Sequence, residues 1–306
     1  MCSKLRGHAN EIEGLALIDV NGRYAPLKKD MCNKKSNGRP HIVAWLLVVV
    51  FAGVFCYAGF RLGSELWAAQ REKRAFEALA SRLKPVERSP ETPSQGPVGM
   101  HNNAAAEPSA PKPTVAPPDY SEFYAMNADF FGWLTIDDTN INYPVVYAPD
   151  KPDYYLAHAF DGTASKSGVP YIDENYRPDS KLVLIHGHHM KDKSMFGQLP
   201  EYANREFWEA HPVVHFNTMD AWGNYRIIAA FLADANPSAR VDAFRYYEYV
   251  DLDEKQLFDY YITQVKAASL YDTGIDAVYG DSLLVLSTCN YHTSNGRFVV
   301  VAKRIV

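Results

Sequence analysis

SLLVLSTCNYHTSNGRFVVVAKRIV, residues 282–306, decides the fold. An apolar run from Ser282 to Thr288 stops at Cys289 and Asn290, and a second begins at Arg297. Between them lies NYHTSNG (290–296), whose Asn295-Gly296 pair is a strong turn signal. Two β-type runs joined this way become antiparallel neighbours, which returns Arg297 to the side of Cys289. A thiol at a strand end is held by a rigid element yet open to a cleft. A guanidinium beside it would favour the thiolate and bind the oxyanion of a tetrahedral intermediate. Each residue taken singly has a plainer reading: an inert buried cysteine and a surface arginine at a strand start.

Upstream, further β-type runs are separated by Gly, Pro, Asn and Asp signals. They are GWLTI (132–136), YPVVY (143–147), VPYID (169–173), KLVLIHG (181–187), VVHFN (213–217) and YRIIAAFLA (225–233). Ser121 followed by Phe123, Tyr124, Phe130 and Phe131 predicts a short packed helix. Two longer helical stretches are expected, Met195 to Ala210 and Asp253 to Ala268, the second opened by acidic residues as the macrodipole prefers. Many strands and few helices predict a mostly β domain closed into a barrel. The run LIHGHHMKD places His186, His188 and His189 at another strand end. A cysteine nucleophile needs a partner that moves protons, and histidine titrates closest to neutral pH. A metal site is the competing reading, with no Asp, Glu or Cys motif in register to complete it; no calcium-type acidic cluster is present either. His158, His211, His215 and His292 read as packing or surface residues.

The N-terminal part reads differently. Residues 1–41 are polar and basic towards their end. IVAWLLVVVFAGVFCYAGF (42–60) has no charged side chain and is long enough to span a bilayer, with Trp45 and Tyr57 near its ends as interface anchors. Residues 61–84 are rich in helix formers and carry a thin apolar stripe, Phe76, Leu79 and Leu83, which predicts a juxtamembrane helix. Residues 85–118 contain nine prolines and read as an extended linker that holds the domain of residues 119–306 clear of the lipid. Of the four cysteines, Cys2, Cys32 and Cys56 fall inside the cell or in the span, which leaves Cys289 alone outside. The net charge of −5 gives no basic surplus for nucleic acid.

Together these residues resemble the sortase family, and class B most closely. Sortases carry a T-L-x-T-C type motif at a strand end, a histidine on an earlier strand-loop and an arginine on the strand after the cysteine. Here the motif reads VLSTC (285–289), with Val285 where Thr is commoner. The likeness extends through YYLAHAFDGTASKSGVPYID (154–173), GHHMKDKSMFGQL (187–199), HPVVHFNT (211–218), the helix at 253–268 and the GRFVVVAKRI ending. The resemblance implies a closed barrel with peripheral helices and a membrane-anchored cysteine transpeptidase without a cofactor. Its catalytic residues would be Cys289, His188 and Arg297; Ser287, Thr288 and Asn290, flanking the thiol, are candidate substrate contacts. The implied partners are secreted proteins bearing a C-terminal sorting motif and an amine of peptidoglycan or a pilin. The implied topology is single-pass, N-terminus cytoplasmic and catalytic domain extracellular. A secreted cysteine protease that hydrolyses the same thioacyl intermediate is the alternative. The Ser-x-Gly-Cys context of L,D-transpeptidases is absent.

Overall fold

The structure, a computed structural model, describes residues 39–83, 119–219, 221–236 and 243–305. The polar tail and the Pro-rich linker expected at 85–118 lie outside the described residues. The chain divides into two compact units, 1–62 and 63–306. Helix α1 (Arg39–Ala80) begins in the first and ends in the second; it carries a stretch with a mean hydropathy of 2.3, long and apolar enough to cross a membrane. The predicted span and juxtamembrane helix are thus one continuous element.

In the second unit, eight strands close into a barrel in the order β1-β2-β3-β4-β7-β8-β6-β5. They are β1 (Phe130–Thr135), β2 (Asn142–Val146), β3 (Tyr171–Ile172), β4 (Leu182–Gly187), β5 (Val213–Thr218), β6 (Asn224–Asp234), β7 (Leu283–Cys289) and β8 (Gly296–Arg304). All eight fall on predicted runs. Most neighbours are antiparallel, but β4 runs parallel to β7 from Leu182↔Leu283 to Gly187↔Thr288. Parallel strands are usually buried on both faces and so read as unbroken apolar runs, as LVLI and LLVL do here. One face of the sheet, with Ile185, Leu284, Leu286 and Val300, fills the barrel. The other, with Leu184, Leu283, Val285, Val299 and Val301, meets helix α4 (Lys255–Ala268). That helix presents Phe258, Tyr261, Ile262 and Val265, the i, i+3, i+4, i+7 spacing of a single stripe.

The aromatic run after Asp119 forms α2 (Ser121–Met126), with Phe123 1% exposed against Phe130 and Trp133. The end of α1 packs on the barrel as well: Phe76 and Leu79 are buried, and the Phe76 ring meets Tyr143 edge-on at 5.3 Å. Glu72 accepts from the Ser167 hydroxyl, and Arg82 pairs with Glu122 on α2 at 2.6 Å.

Two helix boundaries differ from expectation. The stretch read as one helix over 195–210 is a tight turn through Met195 (φ 51°), a 3-10 segment at Leu199–Ala203, and α3 (Arg205–Ala210). Asn204 breaks it: its backbone is extended, and its side-chain oxygen accepts from the Glu206 amide at 3.0 Å, a local bond that competes with helix continuation. In α4 the acidic pair Asp253-Glu254 precedes the first turn instead of forming it.

The two faces of α4 make a direct test of this packing. Phe258→Ala should cost about 3–5 kcal/mol in urea unfolding, because a buried ring leaves a cavity. Tyr260→Ala, two residues along and 52% exposed, should stay within about 0.5 kcal/mol of the parent.

Candidate active site

Side chains alternate across a sheet, so the face that α4 covers can be followed upward strand by strand. On β7 it carries Leu283, Val285, Ser287 and then Cys289; on β8, in antiparallel register, Val301, Val299 and Arg297. Cys289 lies directly opposite Arg297, and residues so opposed have Cβ atoms about 4.5–5.5 Å apart. On the other side of β7, the parallel register His186↔Ser287 and Gly187↔Thr288 makes His188 and Cys289 the next residue on each strand. Cys289 is exposed; His188 and Arg297 are half-buried.

The support beneath is polar and satisfied. The Thr288 hydroxyl, 2% exposed, donates to the Gly187 carbonyl at 2.7 Å and ties the two strand ends together. Ser287, 1% exposed, shares a hydrogen bond with the Tyr246 hydroxyl at 2.6 Å. Burial pushes the Tyr246 hydroxyl up to about 12, against the opposing effect of Ser287, so it stays protonated at neutral pH. Gly187 has to be a glycine: a Cβ there would stand 2.7 Å from the Phe196 ring, which lies on the strand end.

The three histidines take three different partners. His186 Nε2 meets Asp173 Oδ2 at 2.9 Å. His188 Nε2 meets the Leu156 carbonyl at 2.8 Å. His189 Nδ1 meets the Cys289 carbonyl at 2.9 Å. A carbonyl only accepts, so the proton sits on Nε2 of His188 and on Nδ1 of His189. Among the described residues no group of three or more His, Cys, Asp or Glu side chains is arranged to hold a metal ion.

The hairpin end has its own pattern. The Asn290 amide donates to the Gly296 carbonyl at 2.8 Å, and Arg297 Nη1 donates to the same oxygen at 3.1 Å. Asn290 Oδ1 accepts from the His292 amide at 3.1 Å, which fixes the first turn of the loop. A cavity of about 280 Å³ adjoins Arg297, lined also by His186, Asp173, Tyr171, Tyr154 and Tyr246. Burial raises the Asp173 carboxyl, but hydrogen bonds from His186 and from Asn175 outweigh it and hold the group below the usual carboxylate value.

The fold therefore brings Cys289, His188 and Arg297 to one end of one face, with Asn290 beside them and half-buried. Ser287 and Thr288 lie just beneath, their hydroxyls bonded within the protein. Sequence reading missed the Leu156 carbonyl, Tyr246, the Asp173–His186 pair and the Gly296 carbonyl. Only Asp173 left a trace, as the last residue of a predicted strand; the others depend on loop paths that no spacing announces.

A family model described as a sortase domain matches residues 134–305. Sortase B of Listeria monocytogenes is 27% identical over 265 residues, covering 85% of this chain and 95% of its own. The structure of Clostridium perfringens sortase B superposes with a TM-score of 0.55 at 27% identity, over 61% of this chain and 100% of that one. A Staphylococcus aureus sortase B-substrate complex, 24% identical with a TM-score of 0.53 over 61% of this chain and 84% of that one, shares the fold.

The depressed Asp173 carboxyl makes a pH prediction. Its contribution is complete above the ordinary carboxylate value near 4 and is lost as pH falls through the lower folded value. In urea unfolding, the advantage of the parent over Asp173→Asn should be present at pH 5 and shrink as pH falls below about 4.

Proposed function

The chain belongs to the sortase family of cysteine transpeptidases, and from that premise we propose that Cys289 is the nucleophile, His188 the acid–base and Arg297 an oxyanion donor. The carrying observation is the double register: Cys289 opposite Arg297 across one ladder, and His188 the next residue past the other.

The reaction runs in two halves. The Cys289 thiol passes its proton to Nδ1 of His188 as its sulfur bonds to the carbonyl carbon of the scissile peptide, and the carbonyl electrons move onto oxygen. Arg297 and the Asn290 amide hold that oxyanion. What supports this pairing is that both groups already donate to a single oxygen, the Gly296 carbonyl; substrate oxygen would take its place. The tetrahedral species collapses, the C–N bond breaks, and His188 gives its proton to the departing amine. With Nε2–H held by Leu156, Nδ1 is the nitrogen left to carry the moving proton. A thioester on Cys289 remains. An incoming amine attacks it, His188 takes the amine's proton, and the thiolate leaves as a new amide forms. The energy of the first amide is kept in the thioester, so the exchange needs no nucleotide.

The substrates in this reading are secreted proteins with a C-terminal sorting motif. The acceptor is an amine of peptidoglycan or of a pilin. The Arg297 cavity would receive the residues leading to the scissile bond. The span at 42–60 would anchor the chain, with the catalytic domain outside the cell. Ser287 and Thr288, expected as substrate contacts, are instead buried with their hydroxyls engaged within the protein and would support the site from behind; Asn290 would meet the substrate through its amide.

Mass spectrometry of the Cys289 peptide, after incubation with a panel of sorting-motif peptides, should reveal an acyl adduct that Cys289→Ala lacks. Arg297→Ala should slow its formation by roughly 10²–10³, as loss of an oxyanion donor does. Added amine should give a ligated product; release of free acid alone would make the enzyme a hydrolase. Cleavage that continues unchanged in Cys289→Ala would refute the reading.

A further inference from the structure

The Cys289–Asn290 peptide is held at both ends. Its carbonyl accepts from His189 Nδ1 at 2.9 Å, and its N–H donates to the Gly296 carbonyl at 2.8 Å. The two holds differ in kind. Gly296 belongs to the same hairpin, and its oxygen stands where the incoming oxyanion would go. His189 comes from the segment after β4, next to His188, and would stay in place when substrate enters.

His189 sits on a held stretch of backbone. Its backbone bridges to Met195, the neighbouring His188 carbonyl accepts from the Phe196 amide at 2.9 Å, and its ring lies against Tyr291 with centroids 5.6 Å apart. A peptide that loses the Gly296 contact and has no other hold is free to turn about its long axis, which swings its N–H away from the site. A peptide whose carbonyl is still bonded to His189 is not. A bonded carbonyl also polarises its own peptide and makes the N–H at the other end a better donor.

We propose that His189 is a positioning residue: through its Nδ1–H bond to the Cys289 carbonyl it keeps the Asn290 amide aimed at the oxyanion and ties the His188 segment to the nucleophile. This rests on the acyl-transfer reading of Cys289. His189 touches no substrate atom, and its effect is confined to steps that pass through an oxyanion.

Two small probes isolate that effect without any sorting motif. Attack of the Cys289 sulfur on 4-nitrophenyl acetate forms the S–C bond and a tetrahedral oxyanion together; collapse then breaks the ester C–O bond, and 4-nitrophenolate leaves with its electron pair. Alkylation by iodoacetamide displaces iodide in one step and forms no oxyanion. Both rates are read by mass spectrometry on the Cys289 peptide of the full chain, so Cys2, Cys32 and Cys56 do not contribute.

His189→Phe should acylate about fivefold more slowly, the loss of one modest hydrogen bond, and alkylate within about a factor of two of the parent. His189→Asn, whose side-chain N–H stands where Nδ1–H does, should recover most of the acylation rate. Unchanged acylation in His189→Phe, an equal fall in both rates, or no recovery in His189→Asn would each overturn the assignment. A parent Cys289 that alkylates but does not acylate would sink the acyl-transfer reading itself, and this inference with it.

Discussion

The site depends on one pairing, the parallel ladder between β4 and β7 in the register Gly187↔Thr288. A one-residue slip would turn every side chain of β4 to the opposite face and carry His186 away from the cleft. Three features hold the register. Apolar side chains on both faces of the two strands are committed to separate cores, inside the barrel and under α4. The buried Thr288 hydroxyl bonds to the Gly187 carbonyl, and leaving such a group unpaired costs about 1–3 kcal/mol. The Phe196 ring occupies the space where only a glycine fits at 187. The packing that places the proposed nucleophile ends one residue before it, at Gly187 and Thr288.

The same face changes character along its length. From Leu283 to Val285 it is a helix-covered core; at Ser287 it becomes polar but dry, with Tyr246 closing over the hydroxyl; at Cys289 it is open. Burial falls away within three alternate positions of one strand, Val285, Ser287 and Cys289. The cysteine is thereby open to solvent while its backbone is anchored by a strand paired on both sides.

The eight strands were legible because each is a short apolar run bounded by turn residues, and the antiparallel return of β8 on β7 because Asn295-Gly296 marks it. The opposition of Cys289 and Arg297 followed from that hairpin. The adjacency of His188 did not follow from local pattern: β4 and β7 are far apart in sequence, and only the resemblance to a known family joined them. The helix read across 195–210 failed because Asn204 and the positive φ at Met195 answer to local hydrogen bonding and turn geometry, which apolar spacing does not report. The carbonyls of Leu156 and Gly296 were beyond reach for a simpler reason. Backbone acceptors are the same at every residue, so nothing in a side-chain pattern marks one as special.

The Arg82–Glu122 ion pair has a consequence for the proline-rich stretch of chain between its partners. The stretch departs and returns at nearly one spot, since its flanking residues are clasped. While the clasp and the Phe76 contact hold, the contour length of that stretch adds nothing to the reach of the barrel from the end of α1. Lengthening or trimming it would alter a closed detour, whose entropic cost grows only with the logarithm of its size.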